Sequence, residues 1–161
     1  MAKNFRTLAA TASFIFAAAA LAPANALLAE ASTKELMKAR HDHYHRLGDA
    51  FKEVRDESRG GSQAWDALNR AAKVINEAAA NQAKWFPAGT GPEAGKTRAL
   101  PEIWARPKEF EAAQQVFSDA APGLLAAVNA KDLPAVKTQF GAVGKACKNC
   151  HDAFRSPEEH D

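Results

Sequence analysis

Cys147-Lys148-Asn149-Cys150-His151 lies near the C-terminus of a chain of 161 residues. Two thiols three residues apart, with an imidazole directly after them, have the spacing of c-type haem attachment. On a helix Cys147 and Cys150 share one face, so both sulfurs can reach the vinyl groups of a single porphyrin. His151 follows Cys147 by four residues and can stand beneath the iron as a nitrogen ligand. Three other readings compete. A thioredoxin-type redox pair sits at a strand–helix junction, and no strand pattern precedes Cys147. A zinc site needs more ligands, and the chain has only two cysteines; His41, His43 and His45 would have to converge on them. A plain disulfide is the third. The adjacent histidine, the export signal and the helical surroundings favour haem.

The residues around the motif read as a helix. Asp132 is its N-cap, Pro134 is tolerated in its first turn, and Ser156-Pro157 ends it. Val136, Phe140, Val143, Cys147, Cys150 and Phe154 form one apolar stripe, which turns both cysteines inward and predicts a haem held in the bundle. Upstream, Ile103, Trp104, Phe110, Ala113 and Phe117 mark a third helix starting near Pro101 or Pro107. Pro122-Gly123 predicts a kink or interruption there, before Leu124, Leu125 and Val128. Phe86 to Pro101 is rich in Pro and Gly and reads as a long irregular connection, of the kind that carries function or wraps something.

Two more helices precede that loop. A second is predicted over about Gln63 to Trp85, with Trp65, Leu68, Ala72, Ile75 and Ala79 inward and Ser62 as its cap. A first is predicted over about Thr33 to Glu57, with Leu36, Arg40, His43, Leu47, Ala50 and Val54 at steps of four and three. Met37, Tyr44 and Phe51 widen that stripe. The expected fold is all-α, an antiparallel up-down four-helix bundle with haem c attached near the C-terminus.

The N-terminus reads as an address. Lys3 and Arg6 make a basic start, Thr7 to Ala22 carries no charge, and Ala24-Asn25-Ala26 is a small-residue cleavage site. Residues 1–26 are therefore expected to be a signal peptide and 27–161 the haem domain, exported to the periplasm with no membrane attachment after cleavage. The competing reading is an uncleaved anchor, for which the apolar run is short. Cleavage removes two of the 21 basic residues and none of the 19 acidic ones, so the mature charge is balanced. With no basic run or RNA-binding motif, nucleic acid is not a predicted partner. No catalytic triad, paired carboxylates or phosphate loop appears, so the chain does not read as a substrate-turnover enzyme.

Gly141-x-x-Gly144-x-x-Cys147-Lys-Asn-Cys150-His151-Asp-Ala-Phe154-Arg155, Pro101-Glu102-Ile103-Trp104 and Arg40 give the chain a resemblance. It resembles the class II cytochromes c, the cytochrome c′ family, over essentially all its mature length. The resemblance implies one covalent haem c, with Cys147 and Cys150 as thioethers and His151 as proximal ligand. It implies that Arg40 pairs with a haem propionate and that Tyr44, one turn later, approaches the open face of the iron. A bulky non-ligating residue there implies five-coordinate iron that transfers one electron and binds small gases such as NO and CO. The alternative is a six-coordinate, low-spin electron shuttle with His43 or His45 as sixth ligand. Met37, seven residues before Tyr44 and so about 10 Å away along a helix, should miss the iron. Redox proteins are the implied partners, and a homodimer through the first two helices is expected.

Overall fold

The computed structural model describes the backbone of residues 22–60 and 64–157, and side chains from Ser32. Among the described residues five α-helices are formed: α1 (Ala22–Arg59), α2 (Trp65–Asn81), the short α3 (Glu102–Ala105), α4 (Pro107–Asn129) and α5 (Leu133–Phe154). The long ones form the bundle: α1 packs on α2, α2 on α4, α4 on α5, and α5 closes against α1. Their apolar stripes meet in one core, where Val54, Leu68, Ile75, Leu124, Val136 and Val143 are fully buried. Each such side chain contributes roughly 1.5–3 kcal/mol of transfer free energy. Alanines at 71, 72, 78 and 79 in α2 are buried too and let the neighbouring backbones approach. No helix among the described residues is long and apolar enough to cross a membrane.

The element boundaries depart from expectation in four places. The helix expected from Thr33 begins by Ala22, because the alanine-rich stretch before Thr33 has the same helical preference as the residues after it. Residues 1–21 of the expected signal peptide and Ser62, the expected cap, lie outside the described residues. The second helix ends at Asn81, and Gln82–Trp85 tightens into a 3₁₀ turn. Pro122 does not interrupt α4, which runs through it. The ring removes one backbone donor, but Ala121 and Leu124 on either side of it are completely buried and hold the helix together. Leu36 is 46% exposed, not inward, since it precedes the stretch of α1 that faces the end of α2.

The start of α5 agrees closely with the sequence signal. Asp132 accepts a hydrogen bond from the Ala135 amide at 3.0 Å, and Pro134 sits in the first turn. Lys131, with φ of 54°, makes the turn out of α4. Further along, Gly144 lies against the Phe51 ring: a Cβ there would stand 3.3 Å from its Cζ. Phe51 in turn stacks on Phe140 with ring centres 4.2 Å apart. That close approach brings α5 against α1 one turn before Cys147.

Candidate functional site

Cys147 and Cys150 are free thiols on the last turns of α5, both half-buried. Cys147 packs at the edge of the main core. Cys150 packs with Ile103, Phe110 and Phe154 in a second apolar cluster. Burial, and then the neighbouring Cys150, push the Cys147 thiol up to about 11. Burial also raises Cys150. Both are therefore protonated and unreactive as free nucleophiles at neutral pH, unlike the activated thiols of redox pairs. His151 is exposed beside them. Partial burial of its ring, then the guanidiniums of Arg155 and Arg98, lower its pKa. The imidazole is thus kept neutral, the form that ligates a metal.

Across from α5, α1 presents Arg40 and Tyr44 one turn apart. Arg40 is 5% exposed. Its Nη1 donates to Thr90 Oγ1 at 2.9 Å and to the Trp85 carbonyl at 3.5 Å. Its Nη2 donates to the Thr90 carbonyl at 2.7 Å and to Thr97 Oγ1 at 3.3 Å. The guanidinium also lies 5.0 Å over the Phe86 ring and 6.0 Å over Trp104. Burial lowers the Arg40 pKa, but a guanidinium stays charged in any protein. All four oxygen partners are neutral. The Arg40 charge is therefore balanced by no acidic side chain among these partners, and burial of an uncompensated charge is costly.

Tyr44 is held edge-on by Trp85, with ring centres 5.1 Å apart, and faces Phe86 at 6.0 Å. Burial raises its pKa well above the ordinary phenol value, and the Cys150 and Cys147 thiols add to the rise. His43 stacks on the same Trp85, with ring centres 4.7 Å apart and planes at 14°. His41 and His45 are exposed and pair with each other. Met37 packs under the loop, its Cε 3.7 Å from where a Cβ on Gly95 would stand.

The Pro- and Gly-rich loop does wrap something. It folds over Arg40 through Thr90 and Thr97, and Thr90, itself 1% exposed, donates its hydroxyl to the Pro87 carbonyl at 2.8 Å. The Trp104 indole donates to the same carbonyl at 3.2 Å. The far end of the loop pairs with the end of α5: Leu100 N donates to the Phe154 carbonyl at 3.0 Å and Ser156 N to the Arg98 carbonyl at 2.9 Å. Arg98 adds a bond from Nη2 to the Ser156 carbonyl at 2.7 Å. Sequence reasoning missed Trp85, Phe86, Thr90, Thr97 and Arg98. The only signal was the loop's length and composition.

A helical bundle with two thiols and a neutral imidazole on one helix end, facing a buried guanidinium and an aromatic wall, defines a bundle-type c haem protein. The comparisons narrow the class. The family described as "Cytochrome C'" matches residues 35–155, and the chain belongs to the cytochrome c′ family. A cytochrome c′ from Alcaligenes xylosoxydans xylosoxydans is 39% identical over 95 residues, covering 59% of this chain and 73% of that protein. Cytochrome c-556 from Rhodopseudomonas palustris is 31% identical over 153 residues, 89% of this chain and 96% of the relative. Among solved structures, cytochrome c′ from Thermochromatium tepidum superposes with a TM-score of 0.72 at 27% identity, covering 78% of this chain and 97% of that one. A variant of the Alcaligenes xylosoxidans protein, solved as its nitric oxide complex, gives 0.70 at 28% identity with the same coverage. A further variant was solved with carbon monoxide bound, at a TM-score of 0.69, 28% identity and again the same coverage. The chain accordingly carries one covalent haem c.

Proposed function

We propose that the protein is a periplasmic one-electron carrier whose haem keeps one axial side open to small neutral diatomics such as NO and CO. Cys147 and Cys150 are the thioether positions and His151 the proximal ligand. Arg40 takes a propionate. The haem supplies a one-electron couple and, where one axial side is free, a place for a diatomic ligand. The chain does the rest. His151 offers a neutral nitrogen, Arg40 and the loop fix the orientation, and Tyr44 fills the opposite side and excludes water. Redox proteins are the partners this role requires, and substrate turnover is not part of it. Two structural neighbours bound NO and CO, and a third cytochrome c′ is described by ligand-controlled dimer dissociation. A homodimer belongs to the same proposal.

The observation that carries the reading is the position of Tyr44, wedged against Trp85 and Phe86 on the inner side of α1. A neutral phenol is a poor iron ligand, and burial keeps this one neutral. Five-coordinate, high-spin iron is the consequence. An incoming diatomic must displace the ring, so Tyr44→Ala should bind carbon monoxide to the ferrous protein faster, on the order of tenfold or more. Absorption spectra and stopped-flow mixing test both points. A low-spin resting spectrum that Tyr44→Ala leaves unchanged, but that His43→Ala or His45→Ala converts to high-spin, would establish the six-coordinate shuttle instead.

A further inference from the structure

Three histidines on α1 remain outside this function, and two of them form a unit. His41 and His45 lie one helical turn apart on an exposed face, with ring centres 4.7 Å apart and planes tilted by 50°. Two histidines at i and i+4 on one helix face can grip a single transition-metal ion. We propose that His41 and His45 form a surface clamp for a divalent transition cation, copper(II) before others.

The ring separation argues for the geometry. A metal–nitrogen bond of about 2.0–2.1 Å plus about 1.1 Å to the ring centre puts each centre about 3.2 Å from a shared ion. Centres 4.7 Å apart then correspond to a nitrogen–metal–nitrogen angle of roughly 95°. That is the cis angle of square-planar or tetragonal coordination, which copper(II) and nickel(II) adopt. The wider tetrahedral angle of zinc would ask for ring centres about 5.2 Å apart. At equal geometry copper(II) also binds more tightly than nickel(II) or zinc(II).

A second shell is already in place on one side. Asp42 Oδ1 lies 3.4 Å from His41 Nδ1, and Lys38 Nζ bonds the other oxygen of the same carboxylate. Those two neighbours hold the Asp42 carboxyl below its usual range, so it is ionised. A carboxylate on Nδ1 favours the tautomer that leaves Nε2 for a metal. Among the described residues no group of three or more histidine, cysteine or acidic side chains converges on an ion. Water therefore completes the coordination sphere, and the site is an exchangeable one.

Equilibrium dialysis of the holo-protein against copper(II) chloride, with bound copper measured by elemental analysis, tests the clamp. Wild type should bind one equivalent per chain. His41→Ala and His45→Ala should each weaken it on the order of a hundredfold, since one imidazole is left where two acted together. His43→Ala, with its ring against Trp85, should leave copper affinity unchanged. All three positions accept alanine without losing helix, and unaltered far-ultraviolet circular dichroism verifies folding. Copper binding indifferent to His41 and His45, equal loss in His43→Ala, or one copper per two chains would each overturn the clamp.

Discussion

Tyr44 is the single tyrosine of the chain, so the tyrosinate absorbance reports this one side chain. Burial raises its pKa. Ionisation in the folded protein should begin well above pH 10, while denatured protein titrates near the ordinary value of about 10. Below pH 10 both states hold the proton. Above it the unfolded chain releases a proton that the folded chain keeps, so stability falls as pH rises from 10 upward. A folded-state titration near 10 would mean that the phenol is solvated and cannot wall the iron. Arg40 can be argued the same way. Its fork bonds Thr90, Thr97 and the Trp85 carbonyl, so Arg40→Ala strands buried oxygens and should cost about 2 kcal/mol or more. If it also holds a propionate, the reduction potential shifts and Arg40→Lys restores only part of it, because a lysine lacks the fork. Stability lost with an unmoved potential would make Arg40 a loop anchor alone. The sequence shows Arg40 and Tyr44 because they stand on a helical stripe. It does not show Thr90 and Thr97, which lie in a loop with no period and reach Arg40 across 50 and 57 residues of chain.

At the scale of elements, α4 and the loop pull against local expectation. Pro122 should break a helix on local grounds, yet α4 is continuous from Pro107 to Asn129. Packing decides: Ala121 and Leu124 are both fully buried, and breaking the helix would expose them. Pro122→Ala restores the missing backbone donor and should raise stability, on the order of 1–2 kcal/mol in a denaturant titration. No gain would mean that the proline's stiffening of the unfolded chain offsets the lost bond. Helix identity was legible because period and caps are local, as the Asp132 cap illustrates. The bond from Leu100 N to the Phe154 carbonyl was not, because it depends on where the elements end in space. The loop gives the site its third side: it touches α1 through Arg40 and the end of α5 through Arg98–Leu100.

For the whole molecule the open question is how export and haem attachment depend on one another. The described core of α1 begins at Arg40, with Leu47, Ala50 and Val54 after it. Cleavage before Leu27 would therefore shorten α1 at its start and leave every described core contact in place. The described core contacts do not involve residues 1–26, which fits the proposal that those residues serve as an address. Haem attachment to Cys147 and Cys150 is proposed to come after export, where haem is ligated to protein thiols. The exported protein should then begin at Leu27, and its intact mass should exceed that of the polypeptide from Leu27 to Asp161 by one haem. A chain started at Leu27 and kept in the cytoplasm should fold to a helical bundle with two free thiols and no added mass. Thermal unfolding should separate the two products, the haem-bearing one melting higher because a covalent group that packs only in the native state stabilises it. Haem attached to the leaderless chain would detach address from chemistry. Exported protein retaining Met1 at the membrane would make the first 26 residues an anchor.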